Sequence, residues 1–197
     1  MRPLFFSFAL LASAGAVRAV EPAAPSTRGQ PPAPPAFPIP KVTLAQFLDK
    51  LPGTWAGEQR MRNPKGEVMT MRVTESYRWE TRDGARVLVG ELTYTVGSGD
   101  KAKTFKGASL TRIDAAGKGR AEVTDSGKTL RYDALISEDT LVFVPEGKGA
   151  KAESGTGVSF VKEGDAVFLS VRGFQTGPDG VYLVEGKLRK LPDASKH

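Results

Sequence analysis

The sequence predicts an all-β protein, an antiparallel up-and-down β-barrel of about ten strands with one short N-terminal helix. Three observations carry this. From Gly53 onward apolar residues recur with a period of two, in segments rich in Val, Thr, Tyr, Phe and Leu. Turn signals part these segments at Asn63-Pro-Lys-Gly66, Asp83-Gly84, Gly97-Ser-Gly-Asp100, Ala116-Gly-Lys-Gly119, Ser126-Gly127, Glu138-Asp139, Lys148 to Gly157, Glu163-Gly164 and Gly177-Pro-Asp-Gly180. Given natural loop lengths, adjacent hairpins agree on which face of their shared strand is apolar. A meander of that many strands leaves two raw edges unless it closes, and a barrel of this size has room for a filled core or one small ligand.

Ahead of the strands, Arg2, the apolar run Leu4 to Ala14 and Val17-Arg18-Ala19 read as an export signal over residues 1–19. The mature chain is expected to begin near Val20 and to act in the periplasm or outside the cell. No segment is long and apolar enough to be a transmembrane helix. Residues 20–41 carry a run of prolines from Pro22 to Pro40 and read as a disordered spacer. The barrel is expected over 42–191, followed by a flexible tail over 192–197.

Thr43 is placed to cap a short helix, with Leu44, Phe47, Leu48 and Leu51 on one face and Pro52-Gly53 as its stop. Asn63-Pro-Lys-Gly66 suits a three-residue loop built on a type I turn and a left-handed glycine. Met61 then faces Met69, Gln59 faces Met71 and Trp55 faces Glu75, while Glu58 meets Arg72 on the other side. Asp83-Gly84 suits a two-residue type I′ turn, which sets Trp79 against Leu88, Tyr77 against Gly90, Glu75 against Leu92 and Val73 against Tyr94. Both hairpins choose Met69, Met71, Val73, Glu75, Tyr77 and Trp79 as the inward row. Ser126-Gly127 likewise pairs Val123 with Leu130 and Ala121 with Tyr132 inside. At the last hairpin, Gly177-Pro-Asp-Gly180 is expected to pair Phe174 with Val184 and Arg172 with Gly186, so that Phe168, Arg172, Phe174, Tyr182, Val184 and Leu188 point inward. Val167, Leu169 and Val171 then form an apolar outer patch; either the short helix covers it or the register there is off.

The formal charge of +6 includes Arg2 and Arg18, and bases and acids alternate along the strands without a basic block. No nucleic-acid partner is expected. There is no cysteine, and the single histidine, His197, is the last residue, a poor place for a base or a ligand. Phosphate-loop, dinucleotide and calcium-loop patterns are absent. The residues therefore imply no catalytic group, no metal and no cofactor, and they name no protein partner.

The Leu51-Pro-Gly-Thr-Trp-Ala-Gly57 opening after a short helix resembles the start of the lipocalin-like (calycin) barrels, and the exported bacterial domains that begin Leu-x-Gly-Thr-Trp-x-Gly. The resemblance covers Val42 to Leu191 in layout. It implies that Trp55 seals the closed end of the barrel beneath a basic residue from a late strand, with Arg172 or Arg189 in that part. Haem binding is not implied, because Gly57-Glu-Gln-Arg stands where the haem-binding relatives carry a Gly-x-Gly-x-Tyr run. The expected function is to hold a small apolar or amphipathic ligand in the interior, with Trp55, Gln59, Met71, Glu75, Tyr77, Tyr94, Tyr132, Arg172 and Tyr182 as the pocket and Arg172 suited to a carboxylate. The alternative is an envelope structural or interaction module with a filled core. An enzyme using Glu75 is a more distant reading.

Overall fold

The computed structural model describes residues 41–125, 127–146 and 154–192. The expected export signal, the proline run up to Pro40 and the tail beyond Pro192 lie outside the described residues. Helix α1 (Leu44–Leu48) precedes ten strands. These are β1 (Gly53–Arg62), β2 (Val68–Arg82), β3 (Ala85–Val96), β4 (Lys103–Ile113), β5 (Gly119–Asp125), β6 (Lys128–Ser137), β7 (Thr140–Pro145), β8 (Ser154–Glu163), β9 (Ala166–Gly177) and β10 (Gly180–Lys190). A 3-10 turn over Gly99–Lys101 joins β3 to β4. Each strand pairs antiparallel with its neighbours in sequence, and β1 also pairs with β10, so the barrel is closed. Closure gives every strand two partners and removes the exposed edge that would template association.

The turns act as their residues require. Asp83 and Gly84 both take positive φ (51° and 75°), the type I′ geometry whose twist matches the flanking strands. In the first hairpin Gly66 supplies φ 85°, while the Asn63 side chain accepts from the backbone N–H groups of Lys65 and Glu67. The resulting pairs are those expected: Trp55 with Glu75, Gln59 with Met71, Glu75 with Leu92, Val73 with Tyr94 and Ala121 with Tyr132.

The last hairpin differs by one residue. Gly177 pairs with Gly180 across a two-residue loop of Pro178 and Asp179, so Phe174 meets Leu183, and Arg172 meets Glu185. A one-residue slip exchanges the faces of a whole strand. Leu169 and Val171 therefore point inward and are buried, while Arg172 and Phe174 point out and are exposed. β10 keeps the face expected of it, with Tyr182, Val184 and Leu188 inside.

Helix α1 is shorter than its apolar face implied and does not cover an outer patch. Thr43 and Gln46 form a reciprocal capping box at its start. Its last turn tightens, with Lys50 N–H on Phe47 and Leu51 N–H on Leu48. It plugs one end of the barrel: Phe47 and Leu48 are fully buried, and Phe47 packs on Phe160 of β8 with ring centroids 4.8 Å apart.

Candidate functional site

Strand alternation and closure define an interior with two unlike ends. The large side chains with essentially no exposure are Trp55, Phe47, Leu48, Leu88, Leu141, Leu169 and Leu188. All of them lie beneath or on α1, the sealed end. Toward the β1–β2 turn, by contrast, Gln59, Met69, Tyr94, Val96, Phe105, Phe143 and Tyr182 face inward by register yet are only half-buried. Inward-facing apolar groups that still meet solvent mark an open mouth.

At the sealed end Trp55 is 1% exposed, and its indole N–H donates to the Leu51 carbonyl at 2.8 Å. Its ring tilts against Phe160 at 5.8 Å, and the Lys190 ammonium lies 5.5 Å from the ring centroid. The basic residue over this tryptophan is thus Lys190, neither Arg172 nor Arg189. Other cations sit on aromatic faces around the same cap. Arg86 lies 3.8 Å from the Trp79 ring centroid and also reaches Asp49 at 3.0 Å. Lys50 lies 5.9 Å from Phe160.

Midway down the interior lies a polar seam. Glu75, 7% exposed, is flanked across strands by Trp55 and Leu92 and accepts a 2.8 Å hydrogen bond from the Tyr77 hydroxyl. Burial holds its carboxyl above the ordinary carboxylate range, and the Tyr77 bond pulls it back in part. Burial and the nearby Glu75 carboxylate push the Tyr77 phenol far above its usual value. Closer to the mouth, Tyr94 donates to Asp125 at 2.9 Å; burial, that bond and the charges of Asp125 and Glu75 raise its phenol as well. Tyr94 also stacks with Phe105 at 6.2 Å. Tyr132 meets Phe143 edge-on at 6.4 Å; burial raises its phenol, and a hydrogen bond with Ser154 offsets part of this. Tyr182 donates to Asp179 at the rim, at 2.8 Å.

Of the expected pocket residues, Trp55, Gln59, Met71, Glu75, Tyr77, Tyr94, Tyr132 and Tyr182 thus line the interior. Glu75 and Tyr77 are brought into contact. Arg172 is not among them: it lies outside, where it lines an open groove of about 490 Å³ with Glu58, Arg60, Ser170, Glu185 and Lys187. Sequence reasoning missed Asp125, Phe105, Phe143, Phe160 and Lys190. For Asp125 the signal was present, because the Ser126-Gly127 turn that placed Val123 inside also sets Asp125 on that face.

No family model and no curated protein matches the sequence. Among solved structures the chain is similar to the S-type phycobiliprotein lyase CPES from Guillardia theta, with a TM-score of 0.56 and 9% identity over 78% of this chain and 95% of that one. The fold is calycin-like. At such identity the likeness is one of architecture, and calycin-like here means the closed antiparallel barrel with its short capping helix. Among the described residues, no helix is long and apolar enough to cross a membrane, and no cluster of His, Asp and Glu has the form of a metal site.

Proposed function

We propose that this chain is an exported binding protein that holds one small apolar or amphipathic molecule inside the calycin-like barrel, admitted at the β1–β2 end. One observation carries the reading: the large side chains beneath α1 are fully buried, whereas Met69, Tyr94, Phe105, Phe143 and Tyr182, inward toward the other end, are only half-buried. A sealed floor and an apolar open mouth are what an amphipathic guest needs, its tail taken into apolar surface and its head near the seam at Glu75 and Tyr77. Export rests on the N-terminal pattern of Arg2, the apolar run and Val17-Arg18-Ala19.

The test is titration with a neutral apolar fluorescent probe, repeated on Met71→Trp, which fills the mid-barrel. The expected result is a stoichiometry near one in the parent protein and loss of binding in the variant. The reading fails if no probe binds, or if Met71→Trp binds equally well. Export is checked by sequencing the N-terminus of protein recovered from its host, expected to begin near Val20; an intact Met1 would refute it.

A second reading, an interaction module working through its exterior, is favoured by the charged groove across β1, β10 and β9. There Glu185 sits between Arg60 and Arg172, and Lys187 beside Glu58. Absent probe binding selects it.

A further inference from the structure

The ionisable groups of the mid-barrel are acidic. Glu75, Leu92, Gly107 and Asp125 occupy one cross-strand row through β2, β3, β4 and β5. At about 4.8 Å per strand, the two carboxyl-bearing positions are roughly 14 Å apart along the curved wall. Gly107, between them, has no side chain to obstruct the row. A Cβ there would lie 3.5 Å from the Tyr94 hydroxyl and 3.9 Å from the Asp125 Cβ, so Tyr94 crosses that gap to reach Asp125.

Among the described residues Tyr77 is the hydrogen-bond partner of Glu75, and no ion pair forms to that carboxyl. The row continues to Lys190 beyond Trp55 and to Lys128 beyond Asp125. Lys190 is taken up with the outer face of Trp55, and Lys128 is exposed at the mouth beside Asp125. With Arg172 outside the barrel, no base among the described residues stands on this row between Trp55 and Asp125. Tyr77 donates to Glu75, and the rings of Tyr77 and Tyr94 stand beside that carboxyl; a carboxylate and aromatic faces are the two surfaces that attract an organic cation.

Resting on the interior-binding reading above, we propose that the barrel selects amphipathic guests with a cationic head, a protonated amine or quaternary ammonium, and holds that head at Glu75 beside Tyr77 and Tyr94. A carboxylate-headed guest of the same tail is disfavoured by the same groups. The exterior argues the other way, since the chain is basic overall and its long-range field attracts anions. A preference for cations therefore has to arise inside.

The test displaces the neutral fluorescent probe with three ligands of equal chain length, dodecyltrimethylammonium, dodecanoate and dodecanol. All are used below micelle formation, at pH 8 and 150 mM salt, on the full chain. The expected result is displacement by the ammonium at concentrations at least tenfold lower than by dodecanoate. Glu75→Gln is expected to abolish that preference while dodecanol still displaces the probe. Tyr77→Phe, which keeps the carboxyl, is expected to retain the preference. Equal or better displacement by dodecanoate overturns the inference, as does a preference that survives Glu75→Gln. Dodecanol displacement without any charge preference overturns this inference alone. Failure of the neutral probe to bind removes the interior-binding reading and this one with it.

Discussion

The Trp55 indole donates its N–H to the Leu51 carbonyl at 2.8 Å, across the Pro52–Gly53 step that joins the capping helix to the first strand. The bond closes a local loop from Leu51 to Trp55 and fixes the helix over the barrel end. It also satisfies both of its buried groups, whereas the buried indole N–H of Trp79, in the same end, has no acceptor among the described residues. An unpaired buried donor carries a cost of ~1–3 kcal/mol, and a satisfied one does not.

The two tryptophans should therefore answer oppositely to the same change. Trp55→Phe removes a bonded donor and orphans the Leu51 carbonyl, with an expected loss of about 1–2 kcal/mol in urea unfolding. Trp79→Phe removes the orphan and should be neutral or stabilising. Equal losses in both would show that the hydrogen bond does not distinguish them.

Glu75 gives the fold a pH dependence with a definite sign. Its folded-state carboxyl is raised above the reference value of 4.5, so the native state holds the proton more tightly than the unfolded chain. Its contribution is complete below pH 4.5 and is lost as pH climbs through the raised value. Glu80 works the other way: hydrogen bonds from Arg82 and Arg78 lower its carboxyl at the surface, so what it adds is lost as pH falls below 4.5. Thermal melts from pH 4 to pH 8 should show Glu75→Gln gaining on the parent as pH rises. A constant difference between the two proteins across that range would refute the assignment.

Gly57 is required by close approach of strands. A Cβ there would overlap the Lys187 carbonyl oxygen on β10, and that backbone cannot turn aside. Gly57→Ala should cost about 1–3 kcal/mol through strain. Gly155→Ala meets only the ring of Phe174, an exposed side chain that can swing aside, so a loss under about 1 kcal/mol is expected. Denaturant midpoints in the reverse order would contradict this account.

Arg172→Leu should leave probe affinity unchanged and alter stability by no more than about 0.5 kcal/mol, as befits an exposed outer residue. A tenfold loss of interior binding would return this arginine to the lumen.

The first three strands were legible because their turns admit one geometry each. Asn63-Pro-Lys-Gly66 and Asp83-Gly84 set the loop lengths, and from those the register and the inward row follow as arithmetic. Gly177-Pro-Asp-Gly180 accommodates a two- or a three-residue loop, and a single residue decides which face is inside. Composition did not break the tie. β9 is apolar on both sides, with Phe168 and Phe174 outside and Leu169 and Val171 inside, and its inward Gly173 carries no side chain to mark the face. Misreading that strand placed Arg172 in the pocket and hid the part played by Lys190. The helix was read from its spacing, but where it docks depends on contacts with Phe160 and Gly119, more than seventy residues away in sequence, which no local pattern encodes.

The described chain enters and leaves at one pole. Lys41 N–H bonds to Glu138 in the β6–β7 turn, and Leu191 N–H bonds to Thr54 at the start of β1, both beside the capping helix. A fusion partner or a solid support joined at Lys41 or Leu191 is therefore attached at the floor of the barrel, at the pole opposite the β1–β2 turn. Whatever is tethered there loads the capping helix and the first strand, and leaves the far rim of the barrel mechanically independent of the tether.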